Sequence, residues 1–209
     1  ITKTYASGEL NEMHRLMFRS ARFSFYLLFF LSLPVLYETD FILTVWLKMV
    51  PENAVVFLRI MICTSLIYTI ANPLIIANQA TGRVVKYQAV CGTILLLILP
   101  ISYLCLKMGC PAYSVFIVHF LIESVTQMAR MILLRPLIGL RIRDYFIHIY
   151  KPVLIVVGVS VILPSMFYCS MNCGLLRVFT VFLMCAMSIA VTTYLLGLSV
   201  NERSFVRSK

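Results

Sequence analysis

Six apolar runs separated by short polar connections set the pattern of this chain: residues 23–47, 54–77, 87–106, 112–134, 153–168 and 175–196. A helix that crosses a bilayer needs about 20 apolar residues at 1.5 Å each to traverse a hydrocarbon layer about 30 Å thick. The fifth run is short and the others meet that length. The pattern therefore predicts an all-α polytopic membrane protein, a single six-span helical bundle that accounts for the whole chain. Pro34, Pro73, Pro100 and Pro164 lie inside these runs or near their ends, which predicts bent helices.

The fourth run carries an anomaly. In HFLIESVTQMAR, His119 to Arg130, the polar side chains His119, Glu123, Gln127 and Arg130 interrupt apolar sequence. At 100° per residue, His119, Glu123, Thr126 and Arg130 fall within an arc of about 60°, with Gln127 about 40° beyond Glu123. The opposite face carries Ile117, Leu121, Val125, Met128 and Ile132, as a lipid-facing surface would. A charge at the bilayer centre costs about 3 kcal/mol on insertion scales, so the stripe must face protein or water. Two readings follow. The groups pair internally, His119 with Glu123 and Glu123 with Gln127, as neighbours four apart; or they line a polar path running from mid-membrane to one edge.

A second polar set lies at the other side of the membrane: Glu38 and Asp40 in the first run and Arg59 in the second. Counting inward from Lys48 and Asn53 places Asp40 and Arg59 at matching depths of about 12 and 9 Å, which predicts an ion pair between adjacent helices. Substrate or proton contact is compatible with it. Between the second and third runs, Asn78, Gln79, Arg83 and Lys86 surround Gly82, whose freedom at positive φ suits a tight turn. Arg83 and Lys86 either grip a phosphate or serve only as topology signals.

Charge settles the orientation expected. All the Lys and Arg residues except Lys48, Arg59, Lys107 and Arg177 collect on one set of alternate connections, so both chain ends are predicted to be cytoplasmic. Two stretches on that side read as helices lying on the membrane surface, one with Arg15, Arg19 and Arg22 on a face, the other with Ile138, Ile142, Tyr145, Phe146 and Ile149 opposite Arg141, Asp144, His148 and Lys151. Such faces attract anionic membrane lipids or capture an anionic head group.

Composition agrees with the pattern: 61% of residues are hydrophobic and 12% charged, and the mean hydropathy is +0.96. The formal net charge of +10 is dispersed between apolar runs and forms no continuous patch, so nucleic acid is not an expected partner. Of seven cysteines, Cys63, Cys91, Cys105 and Cys185 sit in apolar runs, and Cys110, Cys169 and Cys173 near span ends lack a histidine or a second cysteine pair nearby. Neither a metal nor a cofactor is predicted. Soluble-enzyme motifs are missing, which favours a non-enzymatic role, although Glu123 and His119 have the spacing of an acid/base pair.

Three segments, LTVWLKMVP (Leu43 to Pro51), ANQATGRVVKYQ (Ala77 to Gln88) and LPISYLCLKMG (Leu99 to Gly109), in that order and spacing, resemble bacterial polysaccharide flippases. The chain looks like the C-terminal part of a Wzx-type O-antigen or oligosaccharide exporter of the multidrug/oligosaccharidyl-lipid/polysaccharide superfamily. The resemblance implies a MATE-like carrier of twelve to fourteen spans, two bundles facing a central cavity in the bacterial cytoplasmic membrane. It implies a lipid-linked oligosaccharide as substrate, and an N-terminal bundle supplied by a preceding segment or a partner chain. The family's turn motif maps onto Ala80, Thr81, Gly82, Arg83, Lys86 and Tyr87. A drug or ion antiporter of the same superfamily, using Glu38, Asp40 or Glu123, and a non-transporting structural fragment are the competing expectations.

Overall fold

The computed structural model describes residues 1–171 and 174–197. A short helix, α1 (Thr2–Ala6), precedes α2 (Leu10–Tyr37), and the chain continues past Glu38 as α3 (Thr39–Leu47). Next come α4 (Ala54–Ala80), α5 (Val84–Leu96), α6 (Ile98–Lys107) and α7 (Ser114–Ile138). Helix α8 (Ile142–Tyr145) passes through a π-helical turn at Phe146–Tyr150 into α9 (Lys151–Ser170); α10 (Leu175–Thr192) ends in a second such turn, Thr193–Gly197. No strand occurs among the described residues. Six segments are long and apolar enough to cross a membrane: Leu10–Tyr37, Ala54–Ala80, Val84–Lys107, Ser114–Ile138, Ile142–Ser170 and Leu175–Gly197.

One of the expected bends has a visible cause. Pro100 lacks the N–H that would reach the Leu96 carbonyl, and the helix breaks there, between α5 and α6. The break at Glu38 comes one turn after Pro34, whose carbonyl accepts the Glu38 N–H at 3.1 Å. The two stretches read from sequence as surface helices are not separate elements. Arg15, Arg19 and Arg22 belong to α2 itself, whose Met13, Met17 and Ala21 are fully buried at spacings of four. Residues 142–151 run without interruption into α9, so the fifth span begins eleven residues earlier than hydropathy suggests. The amphipathic pattern was real, and the apolar face it marked meets other helices of the bundle.

Packing proceeds from α7, which holds α5 and α6 on one side, to α4, then α2, α10 and α9. The start of α2, the α4–α5 turn and the α7–α8 turn lie at one end of the bundle and carry Arg15, Arg83, Lys86, Arg135, Arg141 and Arg143, which makes it the basic end. Gly82 (φ 70°) and Gly139 (φ 65°) make the two turns there in the left-handed region. The expected contributions of Arg203, Arg207 and Lys209, and of Cys173, lie outside the described residues. The core of the basic half is formed by Met13 and Met17 from α2, Leu74 and Ala77 from α4, Leu134 and Ile138 from α7, and Tyr145 and Ile149 from the fifth span, all buried.

Candidate functional site

Two ion pairs among the described residues are sealed from solvent, Glu123–Arg130 and Glu38–Arg177. On α7, Arg130 Nη1 donates to Glu123 Oε1 at 2.6 Å, with side chains only 4% and 5% exposed. The two residues are seven apart, a rotation that returns to within about 20° of the same face. Helical side chains tilt toward the N-terminus, so the long arginine reaches back two turns to the carboxylate. Counting from the helix ends, Glu123 lies about 14 Å from one and Arg130 about 12 Å from the other, which puts the pair across the middle of the span.

Four spans converge on this pair. The Arg130 guanidinium lies over the Tyr68 ring of α4, 5.7 Å from its centroid, and Tyr87 and Cys91 of α5 flank it. One turn away, Gln127 Nε2 donates to the Tyr145 hydroxyl at 3.3 Å, which in turn donates to the Ile70 carbonyl at 2.9 Å. Ile70 lies beside the α4 carbonyl that Pro73 deprives of its N–H. Tyr145 therefore ties α4, α7 and the fifth span together one turn before Pro73. Arg130 Nε and, at the end of α4, Asn78 Oδ1 are buried without a hydrogen-bond partner among the described residues, which leaves polar capacity inside a closed core.

The predicted stripe is thus only partly assembled. Glu123, Thr126, Gln127 and Arg130 are buried; His119 is exposed and forms no hydrogen bond among the described residues. The expected pairs of His119 with Glu123 and of Glu123 with Gln127 do not form, because Arg130 takes the carboxylate and Tyr145 takes the amide. The physical reason is a slanted packing seam. Buried positions run from Val118 and Ile122 through Glu123 and Arg130 to Leu134 and Ile138, turning steadily round the helix as α7 crosses its neighbours. At the level of His119 the seam lies about 100° away, at Val118. No acid/base pair of Glu123 and His119 exists in this arrangement, and the three buried groups are packed against neighbouring helices instead of opening onto a groove.

At the other end of the bundle, Glu38 is 1% exposed and accepts both Nε and Nη2 of Arg177 at 2.8 Å, a bidentate bridge from the α2–α3 break to the first turn of α10. The Tyr168 ring stacks on that guanidinium at 4.6 Å. Sequence placed Glu38 with Asp40 and Arg59 and assigned Arg177 to a connection; counted from Lys48 and from Leu175 the two lie at unequal depths of about 15 and 3 Å, so matched depth gave no signal for the bridge. The predicted Asp40–Arg59 pair is present at 3.0 Å between α3 and α4, and it is an exposed one, with side chains 67% and 42% accessible. Exposed pairs contribute little, so Asp40→Asn is expected to change the unfolding free energy by less than about 1 kcal/mol in a denaturant titration.

The turn residues separate in the same way. Asn78 is buried under the bundle, whereas Gln79, Arg83 and Lys86 are exposed. Arg83 and Lys86 border a cavity of about 560 Å³ between α5 and the end of α7, with Tyr87 behind them. Sequence reasoning also missed the seam between α9 and α10, where the Ser160 and Thr192 hydroxyls share a hydrogen bond of 2.5 Å and Ser188 Oγ donates to the Ser160 carbonyl at 3.0 Å. Small hydroxyl residues allow close approach of helices in lipid.

Six apolar helices braced by buried ion pairs and hydroxyl bonds define a multi-pass, all-helical membrane protein. Comparison with protein-family models, curated proteins and solved structures gives no match.

Proposed function

We propose that this chain is one bundle of a MATE-like, two-bundle carrier that turns a lipid-linked oligosaccharide across the bacterial cytoplasmic membrane by alternating access, without a covalent step. The observation that carries the reading is the buried Glu123–Arg130 pair in the middle of α7, one turn from the Gln127–Tyr145 bond that joins α7 to the fifth span. A glycan on a polyprenyl diphosphate cannot enter hydrocarbon unaided, and its carrier must present hydrogen-bonding groups and positive charge at that depth. Separation of α8 from α4 and α7 breaks the Tyr145 contacts and wets Arg130, which then exchanges Glu123 for diphosphate oxygens, a charge-assisted contact of comparable strength. The resemblance in residues 43–51, 77–88 and 99–109 supports the substrate class. In this reading the basic end faces the cytoplasm, as the positive-inside rule requires, and a second bundle, from a further segment or a partner chain, completes the cavity.

The antiporter reading needs a carboxylate free to take Na⁺ or H⁺. Both buried carboxylates are occupied by arginines, Glu123 by Arg130 and Glu38 by Arg177, and Asp40 pairs with Arg59. That weighs toward the flippase.

The charge-neutral double variant Glu123→Gln with Arg130→Gln tests the proposal, because it removes the anion contact without leaving a lone buried charge. In a bacterial strain dependent on this protein for surface glycan, display is expected to fall on the order of tenfold or more, the worth of a charge-assisted contact. Lipid-linked precursor should accumulate while membrane abundance stays near the parent's. Normal display at normal abundance would refute the reading; loss of cation-coupled drug efflux in its place would favour the antiporter.

A further inference from the structure

The cavity between α5 and the end of α7 has the chemistry of a lipid site. Its polar rim consists of Arg83 and Lys86, and its walls are Val85, Leu133, Pro136 and Leu137. Among the described residues, no acidic side chain borders it. Neither Arg83 nor Lys86 has an ion-pair partner among the described residues, in contrast to Arg59, Arg130 and Arg177, which all do. The first turn of α5 opens on the same rim, without a side-chain cap or an acidic residue, so its free N–H groups add to the positive potential there. Tyr87, 4% exposed, closes the inner end and stands between the cavity and Arg130. The space is therefore a pocket that opens at the edge of the bundle and stops short of the buried pair.

We propose that this pocket holds an anionic phospholipid, its phosphate between Arg83 and Lys86 and one acyl chain along Val85, Leu133 and Leu137. Charge complementarity commits it to an anion, and the apolar walls, at the end of two membrane-crossing segments, commit it to an anion with a hydrocarbon tail. A zwitterionic lipid would bring its own cation against two others. A small phosphate ion would leave the Leu133 and Leu137 wall facing water. The inference needs only the membrane location and stands apart from the carrier reading, since the site involves neither Glu123 nor Arg130 and its test reads no transport.

The full chain, purified into micelles with equimolar phosphatidylglycerol and phosphatidylcholine, is examined by native mass spectrometry for lipid that remains bound. Phosphatidylglycerol is expected to be retained in preference by on the order of tenfold, the effect of two basic groups at the surface. The double variant Arg83→Glu with Lys86→Glu, both exposed and thus harmless to packing, should abolish the preference. The control Arg141→Glu with Arg143→Glu, equally basic and exposed at the same end, should keep it. Retained preference in the first variant, or equal loss in the control, would overturn the site in favour of a diffuse surface potential. Displacement of the lipid by inorganic phosphate would also overturn it, because the tail contacts would then contribute nothing.

Discussion

Replacing Arg130 with methionine is expected to lower the unfolding free energy by about 3–5 kcal/mol, the cost of leaving a buried carboxylate without its partner. Glu123 is 4% exposed and its Oε1 accepts from Arg130 at 2.6 Å, so no water is available to take over the bond. Glu123→Gln should cost less, because the amide oxygen still accepts from the guanidinium. The double variant Glu123→Leu with Arg130→Met should recover to within about 1 kcal/mol of the parent, since two buried opposite charges replaced by apolar side chains of similar volume are nearly neutral in stability. Reversible unfolding in mixed micelles, run as a double-mutant cycle, measures all three. If Arg130→Met unfolds at the parent's denaturant concentration, Glu123 reaches water in the folded protein. Recovery of stability in the double variant without recovery of glycan display would separate the pair's structural role from the proposed transport role.

The Glu38–Arg177 bridge should behave similarly at the other end of the bundle, with one added feature. Both guanidinium contacts are 2.8 Å and run to separate carboxylate oxygens, so the geometry requires a planar fork. Arg177→Lys keeps the charge and loses the fork together with the stacking on Tyr168; a loss of about 1.5–3 kcal/mol is expected. Arg177→Leu should cost about 3–5 kcal/mol. Burial also shields this bridge from salt. Raising the ionic strength should leave its contribution unchanged while suppressing that of the exposed Asp40–Arg59 pair. Unfolding of the Arg177 variants at low and high salt checks both points, and a strongly salt-dependent Arg177→Leu effect would show the bridge to be wet.

Much of this was legible in the residues. The six candidate spans follow from hydropathy because a bilayer imposes a single length on every crossing, and the break before Pro100 follows from the missing proline N–H. The Asp40–Arg59 pair followed from matched depths on consecutive helices. The Glu38–Arg177 bridge did not, because it joins helices far apart in sequence, and nothing in one chain's pattern states that α10 returns to the side of α2. His119 was misplaced for a subtler reason: a fixed angular stripe assumes helices that run parallel, whereas the buried face of α7 slants from Val118 to Ile138 as the helix crosses its neighbours.

The sequence by itself determined that the described residues hold six segments long and apolar enough to cross a membrane, which end gathers positive charge, and that α7 carries a costly set of polar groups, since each of these depends on local composition and helical repeat alone. Only the tertiary structure decided which partners satisfy those groups: Arg130 with Glu123, Tyr145 between Gln127 and the Ile70 carbonyl, and Arg177 with Glu38. Partner choice depends on helix order and crossing angle, which arise from packing contacts between segments remote along the chain, and a buried charge is satisfied by whichever group those contacts bring within about 3 Å.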